Sequence, residues 1–394
     1  MAVQPKATTT VSGTTKAELV ERAASLVPAL RNRAAQTEQL RRIPDENLAD
    51  FRDTGLLQVG NPARYGGHPG VDYDTTFEIL MQLARGCGSS AWCYAVWTVH
   101  NWLIGFFPLQ AQEEYYATGP HTLCSSSYDA KKGRAEPEPG GYRLTGHWDF
   151  SSGCDAATWF MAGATTPAGP RFFLLPMAEC EVIDTWFVSG LAGTGSKDIV
   201  VRDVFVPEHR MLDAEAAGTT DMSAWDLHQQ TSYRVPMRVI LGWELAAPII
   251  GLGEAALEDF AGRIRGTTGR ARSAEGVQMQ LRLAEAAAEV RSAGLLHKST
   301  VQEVLAKGER GETFSTLERA RYVRDKAFVV KLCVQAVNRL FDVSGGRALY
   351  LSQHIQRIHR DTHALSHRDG FIIDFAGEAW GREVLNTDGP VSSA

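Results

Sequence analysis

Apolar residues recur at Leu19, Ala23, Leu26 and Leu30, with spacings of four, three and four. That period predicts an amphipathic helix running through the charged stretch to Arg42 and stopping near Pro44. Pro28 falls inside it, so a kink or a later start is open. The polar residues before it, 1 to about 15, read as a disordered tail, and a shorter helix is expected at 45–55. The glycine- and proline-rich NPARYGGHPG (61–70) breaks regular structure. Two more helices follow, at about 73–86 and 89–116. The second contains SSAWCYAVWTVHNWLIGFF, whose tryptophan, tyrosine and valine would also suit strands. It is too long for one strand and opens on Ser89 and Ser90, so a helix buried on most sides is the preferred reading.

From about 122 to 211 the period changes. YRLTGHWDF, TWFMAGA, RFFLLP, EVIDTWFV and IVVRDVFV are short, aromatic and β-branched, and turn formers separate them at 139–141, 167–170 and 190–198. This pattern predicts an antiparallel β-domain, sandwich or small barrel, and argues against a βαβ unit. A linker is expected at 212–235, a polar stretch that could shape the entrance to a site. Helices then follow at about 237–268, 275–308, 315–342 and 347–369, with a short helix or docked tail at 371–384. Four long helices with short joins suggest an antiparallel bundle. The fold class is α+β in three parts: a helical domain over 1–121, the β-domain over 122–211, and linker plus bundle over 212–394.

Composition narrows the function without choosing it. The 394 residues are 44% hydrophobic, enough for a large core. The 46 acidic against 40 basic residues give a charge of -6, which does not favour nucleic acid or an anionic membrane. The N-terminus has no signal-peptide core, and the apolar stretches are read as too short or too interrupted to span a bilayer. Six scattered cysteines without a CxxC pair read as reduced thiols in a cytoplasmic protein.

Five features could carry chemistry. Gly251, Gly253 and Ala256 match GxGxxA, but they lie in a helical stretch, so close helix packing is the better reading. His359, His363 and His367 share a helix face and could line a site. They span about 12 Å, too far for one ion, so no metal is expected. His100, inside the aromatic segment, is either a satisfied core histidine or a base beside an aromatic pocket. The serines of SSSYD (125–129) and HWDFSSGCD (147–155) are turn formers or contacts to a flat heterocycle, and GxSxG is absent from both. Trp148 and Phe150, two apart on one strand, could wall a planar ligand or fill core. GLAGTGSKD (190–198) is a hairpin turn or an anion nest, and Arg263 or Arg270 could meet a phosphate.

VHNW (99–102), SSSY (125–128), the GxWxFSSGCD segment (146–155), GLAGTGS (190–196), VFVPEHR (204–210) and HRDTHALSH (359–367) together resemble the oxygenase component of two-component, flavin-dependent monooxygenases built on the acyl-CoA dehydrogenase fold. The likeness runs from the first helical domain to the last helices. It is nearest to phenol hydroxylases of steroid degradation, with relatives acting on 4-hydroxyphenylacetate, chlorophenols, indoles or polyketide aromatics.

The resemblance implies that a separate NAD(P)H-dependent reductase supplies reduced flavin, with FMN favoured and FAD admitted. Oxygen then adds at C4a, and the hydroperoxide hydroxylates an aromatic small molecule. By motif, His100 takes the phenol proton. Ser152, or else Ser151, steadies the flavin near N5, and Ser126 and Ser127 line the pocket or hold the flavin. His367, or else His363, closes the site. Trp92, Trp97, Trp102 and Phe106, with Trp148, offer a dry flat slot or plain core. Arg263, or another arginine of 263–272, reaches a flavin phosphate in its own or a neighbouring chain of a homotetramer or homodimer. Two rivals share the fold: an N-hydroxylase or sulfur oxidiser, and an acyl-CoA dehydrogenase, whose glutamate in a YEG context has no counterpart in HRDTH.

Overall fold

The computed structural model describes residues 13–265, 274–368 and 370–385. The expected polar tail thus lies almost wholly outside the described residues, as do the end of the helix expected to reach 268 and Arg270 and Arg272. The N-terminal helices are α1 (Lys16–Leu40), α2 (Asp45–Asp53), α3 (Asp74–Gly86), α4 (Gly88–Ile104) and α5 (Leu109–Tyr115). A capping box starts α1, with Thr15 and Glu18 exchanging backbone bonds, and the helix runs on through Pro28. The single helix expected over 89–116 is two, and the cause is local. Pro108 removes an N–H and turns the preceding residue out of the helical region. The Gln112 side chain then donates to the carbonyls of Gly105 and Phe107, at 3.1 and 2.7 Å. The helix also starts without a serine cap: Cys87 is its N-cap, and Ser90 instead accepts from Asn47 at 3.0 Å.

Eight strands follow: β1 (Cys124–Ser127), β2 (Gly133–Glu138), β3 (Gly141–Ser151), β4 (Trp159–Thr166), β5 (Gly169–Pro176), β6 (Glu181–Ile183), β7 (Lys197–Pro207) and β8 (Met211–Leu212). They form one sheet in the order β6-β7-β3-β2-β4-β5-β8, with β1 on β4. The sheet is mixed, not purely antiparallel, because β1 runs parallel to β4 from Cys124 opposite Trp159 to Ser127 opposite Ala162, and β2 touches β4 in parallel. The pattern of short strands cannot show this, since strand direction depends on the path between strands. The sheet encloses its own core of Leu144, Trp148, Phe160, Phe173, Ile199 and Val201.

The 212–235 segment is not bare linker: it holds α6 (Ser223–His228) and a 3-10 turn at Thr231–Arg234. Beyond it come α7 (Met237–Ile240), α8 (Trp243–Arg265), α9 (Ala274–Arg310), α10 (Thr316–Asp342), α11 (His354–Ser366) and α12 (Ile373–Leu385). The helix expected over 237–268 is broken at Gly242, at φ 94°, and the one expected over 347–369 begins as a 3-10 turn before α11. Met237–Arg265 is in fact long and apolar enough, by composition, to cross a membrane, contrary to the sequence reading. Its apolar window is 89% buried among the other helices, which is where a core helix belongs.

The GxGxxA residues serve that packing. A Cβ on Gly251 would lie 2.2 Å from the Met81 carbonyl of α3, and one on Gly253 would lie 2.7 Å from Val290 of α9. Gly262, on the same helix, faces open space. Gly251→Ala should therefore destabilise the protein by about 1–3 kcal/mol or more, read as a lower Tm by circular dichroism. Gly262→Ala should leave Tm unchanged or raise it slightly.

Candidate active site

The site is built between α4 and the sheet. His100 is 1% exposed, and its Nδ1 lies 2.6 Å from the Cys124 carbonyl. A carbonyl only accepts, so Nδ1 carries the proton and Nε2 keeps its lone pair. The Ser126 hydroxyl, 2.7 Å away, donates to Nε2. Burial pushes the His100 pKa down to about 4, against the opposing pull of the Cys124 carbonyl, so the ring is neutral near neutral pH. Tyr128 meets the His100 ring edge-on at 5.8 Å and stacks on Phe172 at 4.8 Å. Burial raises its phenol well above the usual value, and Glu244 and Arg368 act on it electrostatically.

Alternation along β1 divides its serines. Ser126 faces His100, while Ser125 accepts from Ser151 at 3.1 Å on the other side, the side of Ser127. The Ser151–Ser152–Gly153 turn follows at the end of β3. Trp92 of α4 donates its indole N–H to Ser152 Oγ at 2.9 Å, and Trp97 donates to the Gly153 carbonyl at 3.2 Å. Only glycine fits there: φ is 69°, and a Cβ would lie 2.6 Å from Trp97 Nε1. From the other side the 190–196 loop closes on the turn. Gly153 N–H donates to the Thr194 carbonyl at 2.8 Å, and Ser152 Oγ lies 2.7 Å from Ser196 Oγ. Asp361 of α11 fastens that loop by accepting from Leu191 N–H at 2.7 Å, and burial raises its pKa to about 6.

Several expected site residues stand elsewhere. Trp97 and Trp148 are fully buried; the first anchors Gly153, and the second gives its N–H to Gly163 inside the sheet core. Neither has a face left for a ligand. Trp148 and Phe150 do not share a strand face, because the register shifts between Trp148 and Ser151. Phe150 adopts φ 60° and is 64% exposed, edge-on to Trp186 at 5.9 Å. Phe187 is exposed beyond it, under the Arg41 guanidinium at 4.0 Å. His363 faces α10, bonded to Asn338 at 2.7 Å, and His359 stacks on Phe341 there at 4.2 Å. His367 is exposed at the end of α11, its Nδ1 donating to the His363 carbonyl at 2.7 Å. Arg263 pairs with Asp259 and Ser344 at the end of α8. Among the described residues, no three His, Cys, Asp or Glu side chains group to hold a metal.

The acyl-CoA dehydrogenase N-terminal domain model matches residues 16–119, and the C-terminal domain model matches 244–369. The chain is 35% identical to the oxygenase subunit HsaA of a flavin-dependent monooxygenase from Mycobacterium tuberculosis, over 86% of this chain and 88% of the relative. The chain belongs to the oxygenase components of flavin-dependent monooxygenases with the acyl-CoA dehydrogenase fold. The crystal structure of that HsaA superposes with a TM-score of 0.90 at 31% identity, covering 96% of this chain and 99% of the other. An FADH2-dependent resorcinol hydroxylase oxygenase component from Rhizobium sp. is 33% identical over 94% of each chain. A p-hydroxyphenylacetate 3-hydroxylase oxygenase component from Acinetobacter baumannii is 27% identical over 94% of this chain and 89% of the relative. The enzyme is thus flavin-dependent, and its family works as an oxygenase component beside a separate reductase.

Sequence reading missed the pairing of Ser126 with His100, and the contacts of Thr194 and Ser196 beneath Ser152. The hydroxyls of GLAGTGS were the available signal, but as a hairpin or nest they pointed to no partner.

Burial also sets a pH response. His100 and His297 are both buried, each with a pKa lowered by burial to about 4. Between pH 6.5 and about 4 the unfolded chain binds protons that the folded chain refuses, so stability falls as pH falls through that window. His228, also lowered by burial to about 4, adds to them, while Asp361, raised to about 6, and Asp72, Glu244 and Glu254, each raised by burial, work in the opposite direction. The share of His100 is read by difference: on acidification from pH 7 to 5 the denaturant midpoint of the wild-type chain should fall relative to that of His100→Asn.

Proposed function

We propose that this oxygenase hydroxylates a ring carbon of a phenol-type aromatic substrate, with His100 drawing the phenolic proton. The observation that carries the reading is the fixed tautomer of His100. With Nδ1–H held by a backbone carbonyl, Nε2 is the only basic position, and it opens toward Ser126 and Tyr128. A phenol that donates to the Ser126 hydroxyl passes its proton to Nε2 through it, Ser126 giving its own proton to Nε2 and taking the phenol's, and the ring carbon becomes a stronger nucleophile. Burial holds the His100 pKa at about 4, below the near-neutral value that suits a general base best. A developing phenolate beside the ring favours the imidazolium and works against the burial. The names of the resorcinol and p-hydroxyphenylacetate hydroxylases support a phenol.

Reduced flavin, when bound, supplies the two electrons that split O2, one oxygen going to the ring carbon and the other to water. The residues present fit a flat heteroaromatic group with a polar edge. Phe150 is held outward at a φ that costs of order 1–3 kcal/mol, beside a turn lined by Ser151 and Ser152. We assign Ser152 to the flavin edge and Phe150, in place of Trp148, to its plane, with Ser126 and Ser127 at the pocket wall. The FADH2 dependence named for the resorcinol enzyme supports FAD over the FMN expected from sequence. Exposed Leu349, Tyr350, Leu351 and Phe375 support assembly into a homodimer or homotetramer, and the free cysteines a reducing cytoplasm.

The test supplies reduced FAD or FMN and oxygen to a panel of phenols and scores hydroxylated product against peroxide. The wild-type chain should couple oxygen use to product. His100→Asn should bind reduced flavin almost as well, hydroxylate roughly 10²-fold more slowly and release more peroxide. Unchanged coupling in that variant would remove His100 as the base.

A further inference from the structure

Lys326 of α10 is 9% exposed, yet among the described residues no carboxylate forms an ion pair with it. Its amine donates to the Leu241 carbonyl at 3.2 Å, although an ammonium has three N–H groups to place. Burial lowers its pKa to about 8, against the pull of Glu244, so the group still carries its charge near neutral pH. Buried charges are ordinarily matched by a partner in contact. Glu244 is the one carboxylate that acts on Lys326, and its oxygens are engaged elsewhere. They accept from Gly242 N–H at 2.8 and 3.0 Å and from the Tyr73 hydroxyl at 3.0 Å. Burial also raises the Glu244 pKa, which weakens it as a counter-charge. Arg368 stands on the same side as Lys326. A Cβ on Gly242 would lie 2.7 Å from Lys326 Nζ and 3.8 Å from Arg368 Nη1, so both cation heads converge on one point just before α8. The N–H groups of the first turn of α8 favour an anion at the same place.

This cluster shares the compartment of His100. Tyr73, held by Glu244, stacks at 4.9 Å on Trp102, two residues along α4 from His100. Tyr128, edge-on to His100, feels both Glu244 and Arg368. The serine turn assigned to the flavin lies toward the other end of α4, beside Trp92. We infer that Lys326, beside Arg368, binds an anionic group of the substrate, so that the preferred substrate is a phenol carrying a carboxylate on a short chain away from its hydroxyl. The inference rests on the reading that a phenol meets Ser126 and His100. Stripping water from a carboxylate is costly, but here the cation is already desolvated and short of an acceptor, so pairing offsets the cost. A neutral tail would leave the ammonium as it is, and a cationic tail would meet like charge. With the hydroxyl drawn to one end and the carboxylate to the other, the ring has one direction in the site.

The test compares 4-hydroxybenzoate, 4-hydroxyphenylacetate and 3-(4-hydroxyphenyl)propionate, each with its primary amide. Dissociation constants are measured by calorimetry on the full-length protein, and KM for the same pairs comes from the coupled assay with reduced flavin and oxygen. At least one acid should bind roughly 10- to 100-fold tighter than its amide, the weight of a charge-assisted hydrogen bond. Lys326→Met keeps the length of the side chain and removes the charge, and it should bring that ratio close to one. Lys326→Arg keeps the charge and should retain most of the ratio. General loosening of the fold would weaken acid and amide alike and leave the ratio alone. The wild-type ratio is itself a test that needs no variant to fold. If the wild-type chain binds each amide as well as its acid, or if Lys326→Met keeps the preference, the anion site is wrong. The proposed function then still stands where amides are hydroxylated in a His100-dependent way. If no member of the panel binds or is hydroxylated, both are wrong.

Discussion

A helix buried on every side must find a partner for each of its polar side chains, and α4 is such a helix: all residues from Gly88 to Ile104 are buried. Tyr94 donates to the Leu56 carbonyl, Asn101 to Asn61, and Trp102 to Ser232. Trp92 and Trp97 donate to the turn after β3, and His100 bonds the carbonyl and the serine of β1. Leaving any of these unmade inside the core costs about 1–3 kcal/mol. The same bonds that satisfy the helix therefore fix where the sheet and the neighbouring loops must stand. The candidate site is a by-product of that satisfaction. Trp92 and His100 lie two helical turns apart, roughly 12 Å along the axis, and each holds one wall.

This accounts for what the sequence could and could not reveal. The order of helices, strands and helices was legible, because periods of 3.6 and 2 survive in each segment. The buried aromatic helix was legible for the same reason. Its tryptophans were not assignable, because an indole that lines a slot and an indole that anchors a backbone carbonyl look alike in sequence. Trp97 and Trp148 proved to be anchors. Phe150 became the exposed ring only through a register shift in β3, which flips the face that plain alternation predicts. Parallel pairing of β1 was equally hidden. It rests on contacts between residues 124–127 and 159–162 that no local pattern encodes.

The histidine stripe on α11 shows how helical geometry redirects an argument. His359 and His363 point at α10, onto Phe341 and Asn338. Asp361 lies two positions from each, on nearly the opposite side of the helix, and so faces α4 and the 190–196 loop. A Cβ on Gly88 would lie 3.0 Å from its Oδ2, and its Oδ1 holds Leu191 N–H. What HRDTH contributes to the walls of the candidate site is thus the acid between the histidines, which holds the 190–196 loop.

Burial shapes the chemistry as well as the fold. In a low-dielectric site an isolated charge is costly, and the groups nearest the proposed reaction are neutral: hydroxyls, a carbonyl and an uncharged imidazole. Charged groups stand one step back. Asp361 acts through a backbone N–H, and Glu244 accepts from Tyr73 at 3.0 Å, with Lys326, its pKa lowered by burial to about 8, within electrostatic reach. Oriented dipoles can be aimed without drawing in water, which a mobile ion pair would do. A pocket that must keep water from a reactive oxygen species can afford such dipoles where it cannot keep bare charges. The direction of each hydroxyl then matters as much as its position, because in a dry site a misdirected proton has no solvent molecule to correct it.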